Sequence, residues 1–169
     1  ALTARSAERL WQKGLPLHLV VMGSSSDRWP GKPDTRLHKM GMLPAGEISR
    51  TLQACDFQAA PYLDGISARR TAAMAGIEHG LAVLSTKGRL TDSSLPWGGP
   101  LPMVDAKDER GFCELLERLL LPDERQRWAE AGAVFCRDHL DREKLAGQYL
   151  DLLGSIVRQS GVRRRPDGP

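Results

Sequence analysis

The sequence predicts an α/β protein: a parallel sheet of about five or six strands, covered by helices on both faces, with a helical C-terminal third. Three observations lead there. Short apolar runs of strand length recur along the first two thirds of the chain, at Leu15–Gly23, Leu37–Met40, Phe57–Tyr62, Leu81–Ser85 and Leu101–Val104. Between most of them lie segments with helical apolar spacing. From Phe112 onward the apolar residues recur at three and four without a break. Strands separated by helices form right-handed β-α-β units, and these build parallel sheets buried on both sides.

Each element has a local reason. Residues 3–13 read as a helix with Leu10 and Trp11 on its apolar face, stopped by Gly14. Leu15–Gly23 is a short run rich in Leu and Val, which suits a buried strand. Residues 24–35 are polar with two prolines and read as a loop. Pro44 and Glu47 open a helix, the proline in the first turn and the acid near the positive end, with Ile48, Leu52 and Cys55 as its buried stripe. Residues 66–79 read as a helix capped by Gly80, and residues 86–100 as a Gly/Pro/Ser loop. Pro122 starts a helix bearing Trp128, Ala131 and Phe135. Leu145, Tyr149, Leu152, Leu153 and Ile156 form the expected buried stripe of the last helix. Residues 1–159 are thus expected to form one domain, and 160–169 a disordered basic tail.

Composition bounds the function. The chain has 169 residues, 41% apolar and 27% charged, enough to bury roughly 70% of its unfolded surface. The net charge of +3 resides in residues 158–169, where Arg158, Arg163, Arg164 and Arg165 oppose Asp167 alone. A neutral body with 5% aromatic residues argues against a nucleic-acid partner. No apolar run is long enough to span a membrane. Three scattered cysteines, Cys55, Cys113 and Cys136, suit buried thiols in a cytoplasmic setting, whether free or at the inner face of a membrane. No charged-then-apolar leader precedes the first helix, and Ala1 stands where Met is usual, so the sequence is expected to be part of something longer. No CxxC, HExxH or Asp-x-Asp spacing is present, so no metal ligands are assigned, and no Ser-His-Asp or Cys-His arrangement has motif support. No catalytic residue is assigned either. His18 and His38 read as core or edge histidines, His79 as a helix C-terminal cap and His139 as solvated.

In a parallel sheet, ligands sit outside the carboxyl ends of the strands. That rule selects loops 23–27, 41–44, 62–67 and 85–89, three of which open with or contain an early glycine suited to close backbone approach. The sharpest run is Asp64-Gly65-Ile66-Ser67-Ala68-Arg69-Arg70-Thr71. Ser67 or Asp64 can cap the following helix, which would put Arg69 and Arg70 in its first turn, where the dipole disfavours cations. Two arginines at that position fit an anion held by backbone amides and guanidinium forks. They equally fit solvated side chains or surface ion pairs.

The run Met40–Tyr62 (MGMLPAGEISRTLQACDFQAAPY) resembles the "G-x-Leu-Pro, helix, Ala-Asp-hydrophobic, Pro-Ser/Tyr" stretch of GT-B glycosyltransferases. Met74–Thr86 (MAGIEHGLAVLST) is similar to their "Ala-Met-Ala-x-Gly-x-Pro-Val-Val-x-Thr" segment. The front from Leu10 and the helical end to Arg158 match in pattern. Each motif alone is common; five in order are not. The resemblance implies the Rossmann-like carboxy-terminal half of a retaining, family 4-like (group 1) enzyme. Such a half binds a UDP- or GDP-type nucleotide sugar as substrate, needs no separate cofactor, and faces an amino-terminal acceptor domain of the same protein. It places Gly23 and Ser24 near the donor phosphates, Gly41, Met42 and Leu43 beside the base, and Asp64, Gly65, Ile66 and Ser67 at the sugar and pyrophosphate. Arg69 and Arg70 would grip the diphosphate. Two departures stand out. The two glutamates that the family carries eight positions apart are Ser67 and Ala75 here, with Asp64 as a stand-in for the first. The family's Gly-Arg-Leu…Lys-Gly strand and loop has no counterpart, and the resemblance places it ahead of Ala1. Loss of the acidic pair also fits a non-catalytic nucleotide-binding or assembly module.

Overall fold

The computed structural model of the chain describes residues 2–24, 26–93 and 96–159. Its elements run α1 (Leu2–Gln12), β1 (Leu19–Met22), a 3-10 turn (Ser26–Arg28), β2 (Leu37–Gly41), α2 (Ala45–Gln53), β3 (Phe57–Ala60) and α3 (Thr71–Glu78). They continue with β4 (Ala82–Lys87), β5 (Met103–Asp105), α4 (Glu109–Arg118), α5 (Pro122–His139) and α6 (Arg142–Gln159). The fold class is mixed α/β with parallel pairing throughout, as expected.

The single sheet of five or six strands is not what forms. The strands divide into a two-stranded sheet, β1-β2, and a three-stranded sheet, β3-β4-β5. Both are parallel, with Leu19 opposite Leu37, Ala59 opposite Leu84 and Ser85 opposite Met103. β4 is the best-buried strand, inaccessible from Ala82 to Thr86. Its alternate residues serve two cores, because successive side chains in a strand point to opposite faces. Val83 packs with Ala73, Met74 and Ile77 of α3 and Phe135 of α5. Ala82 and Leu84 pack with Ala7, Leu10 and Trp11 of α1 and Phe112 and Leu116 of α4. Both cores also take in the smaller sheet: Met22 borders the first, and Leu19 and Leu37 border the second.

Local chemistry explains most boundaries. Asp108 caps α4, its carboxylate accepting the Gly111 N–H at 2.8 Å. Pro122 sits at the first turn of α5, where its missing N–H costs nothing. His79 is the C-cap of α3, with Nδ1 donating to the Ala75 carbonyl at 2.7 Å and Nε2 accepting from Ser49 Oγ at 2.8 Å.

Three further expectations need correction. β1 begins at Leu19, because Leu15 and Leu17 are used in a turn that follows α1, where Trp11 Nε1 donates to the Leu17 carbonyl. The helix expected over 66–79 begins only at Thr71, because Ile66 N–H is drawn to the Thr86 carbonyl and Arg70 N–H to the Ser67 carbonyl. The expected buried stripe of the last helix is exposed: Leu145, Tyr149, Leu152, Leu153 and Ile156 all face away from the body. The basic tail at 160–169 lies outside the described residues. Among those residues, no helix is long and apolar enough to cross a membrane.

Candidate functional site

The carboxyl ends of the strands carry the loops that the sequence selects, and these form two groups. In the first, Gly23 (φ 101°) and Gly41 (φ 65°) end β1 and β2 in backbone conformations that favour glycine. Gly23 N–H donates to the Gly41 carbonyl at 2.7 Å. Ser24 beside them is exposed, Met42 is 74% exposed and Leu43 half-buried. A Cβ added at Gly23 or Gly41 would meet nothing within 4 Å, so this shelf is open.

The second group is built more tightly. The loop after β4 folds back over the loop after β3. Leu90 N–H donates to the Asp64 carbonyl at 2.6 Å, and Asp92 N–H to the Ile66 carbonyl at 3.2 Å. Thr86, buried at the end of β4, accepts from Tyr62 N–H at 2.8 Å and donates to the Tyr62 carbonyl at 2.6 Å. Gly65, at φ 97°, lets the two backbones meet, since a Cβ there would lie 2.6 Å from Gly88 N. Ile66 is wholly buried, so its side chain anchors this loop to the core.

On this platform Arg69 and Arg70 part company. Arg70 is the N-cap residue of α3 and makes no side-chain cap bond. Its guanidinium binds Asp64 Oδ1 at 2.5 Å and lies 4.6 Å above the Tyr62 ring. Arg69, one residue earlier, is exposed and has no ion-pair partner among the described residues. Both line a cleft of about 540 Å³ with Ser67, Leu90 and Asp92. Burial pushes the Tyr62 hydroxyl above its ordinary 10.0, against the opposing pull of a hydrogen bond with the Ala73 backbone and of the Arg70 charge. Tyr62 is therefore a neutral platform for Arg70.

Ser67, Arg69 and Arg70 are thus brought together at one cleft, with Asp64 tied to it through Arg70 and Gly65 and Ile66 in the same loop, buried. Gly23, Ser24, Gly41, Met42 and Leu43 lie on the separate shelf, and no hydrogen bond or ion pair among the described residues joins the two groups. Ser67 and Ala75, which take the places of the family's glutamates, face different cavities. Ala75 lines one of about 380 Å³ with Ala68, Thr71, Met74, Glu78 and Leu140. Sequence reasoning passed over Leu90 and Asp92, which sit in what reads as a connecting loop. The nearest signal was the Thr86-Lys87-Gly88-Arg89 run, whose two exposed cations add positive charge to this end of the sheet.

The remaining histidines are accounted for structurally. His18 and His38 are exposed, stack at 5.4 Å and approach each other at 3.1 Å between Nδ1 and Nε2. His139 packs on Phe135. Among the described residues, no group of three His, Cys, Asp or Glu side chains is placed to hold a metal ion.

The cleft at the carboxyl ends of these parallel strands is edged by two guanidinium groups, one paired with Asp64 and one exposed, by the Ser67 hydroxyl and by the Asp92 carboxylate. The guanidinium forks are the groups in it that suit an anion. No protein-family model matches the sequence, and no curated protein matches it significantly.

Proposed function

We propose that the chain is the donor-binding domain of a nucleotide-sugar-dependent glycosyltransferase of the GT-B, family 4-like type, with a Rossmann-like three-layer architecture. In this reading it holds a UDP- or GDP-sugar while an acceptor domain of the same protein presents the hydroxyl that receives the sugar, with retention at the anomeric carbon. The observation that carries the proposal is the placement of Arg69 and Arg70 on one open cleft at the carboxyl ends of β3 and β4. Sugar transfer from such a donor releases a nucleoside diphosphate, so negative charge builds on the phosphate oxygens as the glycosidic bond breaks. Guanidinium groups aimed at that position stabilise the transition state more than the ground state. Gly23 and Ser24 would meet the phosphates, Gly41, Met42 and Leu43 the base, and the Asp64–Ser67 loop the sugar.

A second reading, a non-catalytic nucleotide-binding or assembly module, is favoured by two observations. Ser67 and Ala75 leave no carboxylate at the positions of the family's acidic pair, and Asp64 is engaged with Arg70. Calorimetric titration with UDP and GDP tests both readings. Each charge-assisted hydrogen bond lost should cost about 1.5–3 kcal/mol, so Arg69→Ala and Arg70→Ala are each expected to weaken binding by roughly 10- to 100-fold. Absence of binding by the unaltered chain at millimolar UDP and GDP would remove the donor-site proposal. Binding without sugar release by the longest form of the protein would select the module.

A further inference from the structure

The smaller sheet holds two imidazoles whose geometry a hydrogen bond between them does not exhaust. His38 is the second residue of β2 and stands opposite Val20. His18 directly precedes β1, and the Leu19 N–H to Arg36 carbonyl bond extends the pairing of the two strands toward it. Leu19 and Leu37 border the core beneath α1 and α4. Side chains alternate along a strand, so His18 and His38 fall on the face turned away from that core, and both are exposed. Their rings are stacked, 5.4 Å apart and 12° from parallel, with His18 Nδ1 3.1 Å from His38 Nε2.

That separation is the informative quantity. Metal–nitrogen bonds of about 2.0–2.1 Å place two ligand nitrogens about 2.9 Å apart at a right angle and about 3.3 Å apart at the tetrahedral angle. The observed 3.1 Å lies between the two. A neutral imidazole carries one proton, on either nitrogen. Moving the proton between the rings onto an outer nitrogen frees both inner lone pairs, without releasing a proton overall. The hydrogen bond given up is exposed, and water competes for both of its groups. Repulsion of a dication by Arg36, two residues before His38, is offset by Asp34, which takes two guanidinium bonds of 2.8 Å. Both rings are already stacked on paired strands, so less freedom is lost when an ion arrives.

The geometry points to a bidentate site for one divalent transition-metal ion, held by His18 Nδ1 and His38 Nε2. Imidazole nitrogens suit zinc, nickel and copper, whereas magnesium and calcium require oxygen. Among the described residues no third His, Cys, Asp or Glu completes the set, so water fills the remaining positions. The ion would strap β1 to β2, the whole of a sheet with only two strands. The site lies toward the amino ends of these strands, away from the loops of the donor-site proposal, and is independent of it.

The test uses the 169-residue chain without an affinity tag. Titration with Zn²⁺, followed by calorimetry and by NMR of the histidine rings, should give one ion per chain. His18 and His38 signals should move while those of His79 and His139 stay. His18→Ala and His38→Ala should each weaken Zn²⁺ binding by about 100-fold or more, because the second contact of a chelate is intramolecular. Ni²⁺ should shift the same two rings and Mg²⁺ should not. Unmoved His18 and His38 signals at millimolar Zn²⁺ would overturn the proposal, as would a single variant that keeps the affinity of the unaltered chain. One ion per two chains would overturn it too, because a second copy, rather than water, would then complete the coordination.

Discussion

Replacing Gly65 with alanine should damage the chain far more than its single methyl suggests. Gly65 adopts φ 97°, a region that residues with a Cβ occupy at a cost of about 1–3 kcal/mol. The added Cβ would overlap Thr91 Oγ1 and lie 2.6 Å from Gly88 N and 3.0 Å from Gly88 Cα. The threonine hydroxyl can rotate, but the Gly88 backbone cannot, so the loops after β3 and β4 must part. Parting them breaks the Leu90 N–H to Asp64 carbonyl bond and strains the Gly88 N–H to Thr91 Oγ1 bond, each worth about 1 kcal/mol. The sum, about 3–5 kcal/mol, is a large share of the ~5–15 kcal/mol that holds a domain together. Urea unfolding measures it directly, with Gly14→Ala as the control. Gly14 has φ 76° but nothing within 4 Å of its Cβ position, so it should lose only the backbone contribution. Thr91→Ser should not rescue Gly65→Ala, because Gly88 remains in the way. A loss at Gly65 no larger than that at Gly14 would refute the reasoning that close backbone approach, rather than φ alone, demands glycine there.

Phe112 is fully buried between α4 and the sheet, and Phe112→Ala should cost about 3–5 kcal/mol in the same unfolding assay, with a smaller loss showing that the site collapses around the missing ring. Asp34 provides a pH test. Its hydrogen bonds from the Arg36 guanidinium and backbone N–H hold its carboxyl at about 2, against an ordinary 3.8. Because the folded value is depressed, the contribution of Asp34 to stability is present above pH 3.8 and is lost as pH falls toward 2. Asp34→Asn should flatten that part of the stability profile, and a carboxyl titration by NMR centred near 3.8 would show that the pair does not persist in solution.

The alternation of strands and helices was readable because apolar spacing reports how much of an element must be buried. Leu81–Ser85 and Leu15–Gly23 both look like inner strands for that reason. The same signal is silent about what lies alongside, so the division of the strands into two sheets left no trace in the sequence. Apolar spacing on α6 likewise shows that one face needs cover without showing that the body supplies none. At the site, the Asp64–Arg70 run was recognisable as loop chemistry, but its helix begins five residues later than its Gly-Ile-Ser opening suggests. In that stretch the Gly65, Ile66 and Arg70 amides are taken by the carbonyls of Tyr62, Thr86 and Ser67. Leu90 and Asp92 reach the cleft only because Gly65 and Gly88 touch, a contact between residues 23 positions apart that no local pattern encodes.

The pairing of Arg70 with Asp64 bears on whether the cleft can take an anion at all. Asp64 and Arg70 side chains are 41% and 32% exposed, so water screens their attraction, and pairs of this kind contribute about 0–1 kcal/mol. A hydrogen bond from a guanidinium to a phosphate is worth about 1.5–3 kcal/mol, which exceeds the cost of displacing or sharing the carboxylate. Sharing is available, because a guanidinium has five N–H donors and Asp64 engages one nitrogen. Asp64 therefore acts on Arg70 as a positioner, holding the guanidinium 4.6 Å from the centre of the Tyr62 ring through one nitrogen. Arg69 has no such restraint and loses more side-chain freedom on binding, roughly 1.5–2 kcal/mol if fully ordered. In the proposed donor site the two arginines would therefore contribute unequally: Arg70 is already held by Asp64 and Tyr62, whereas the affinity gained from Arg69 would be what remains after its ordering cost.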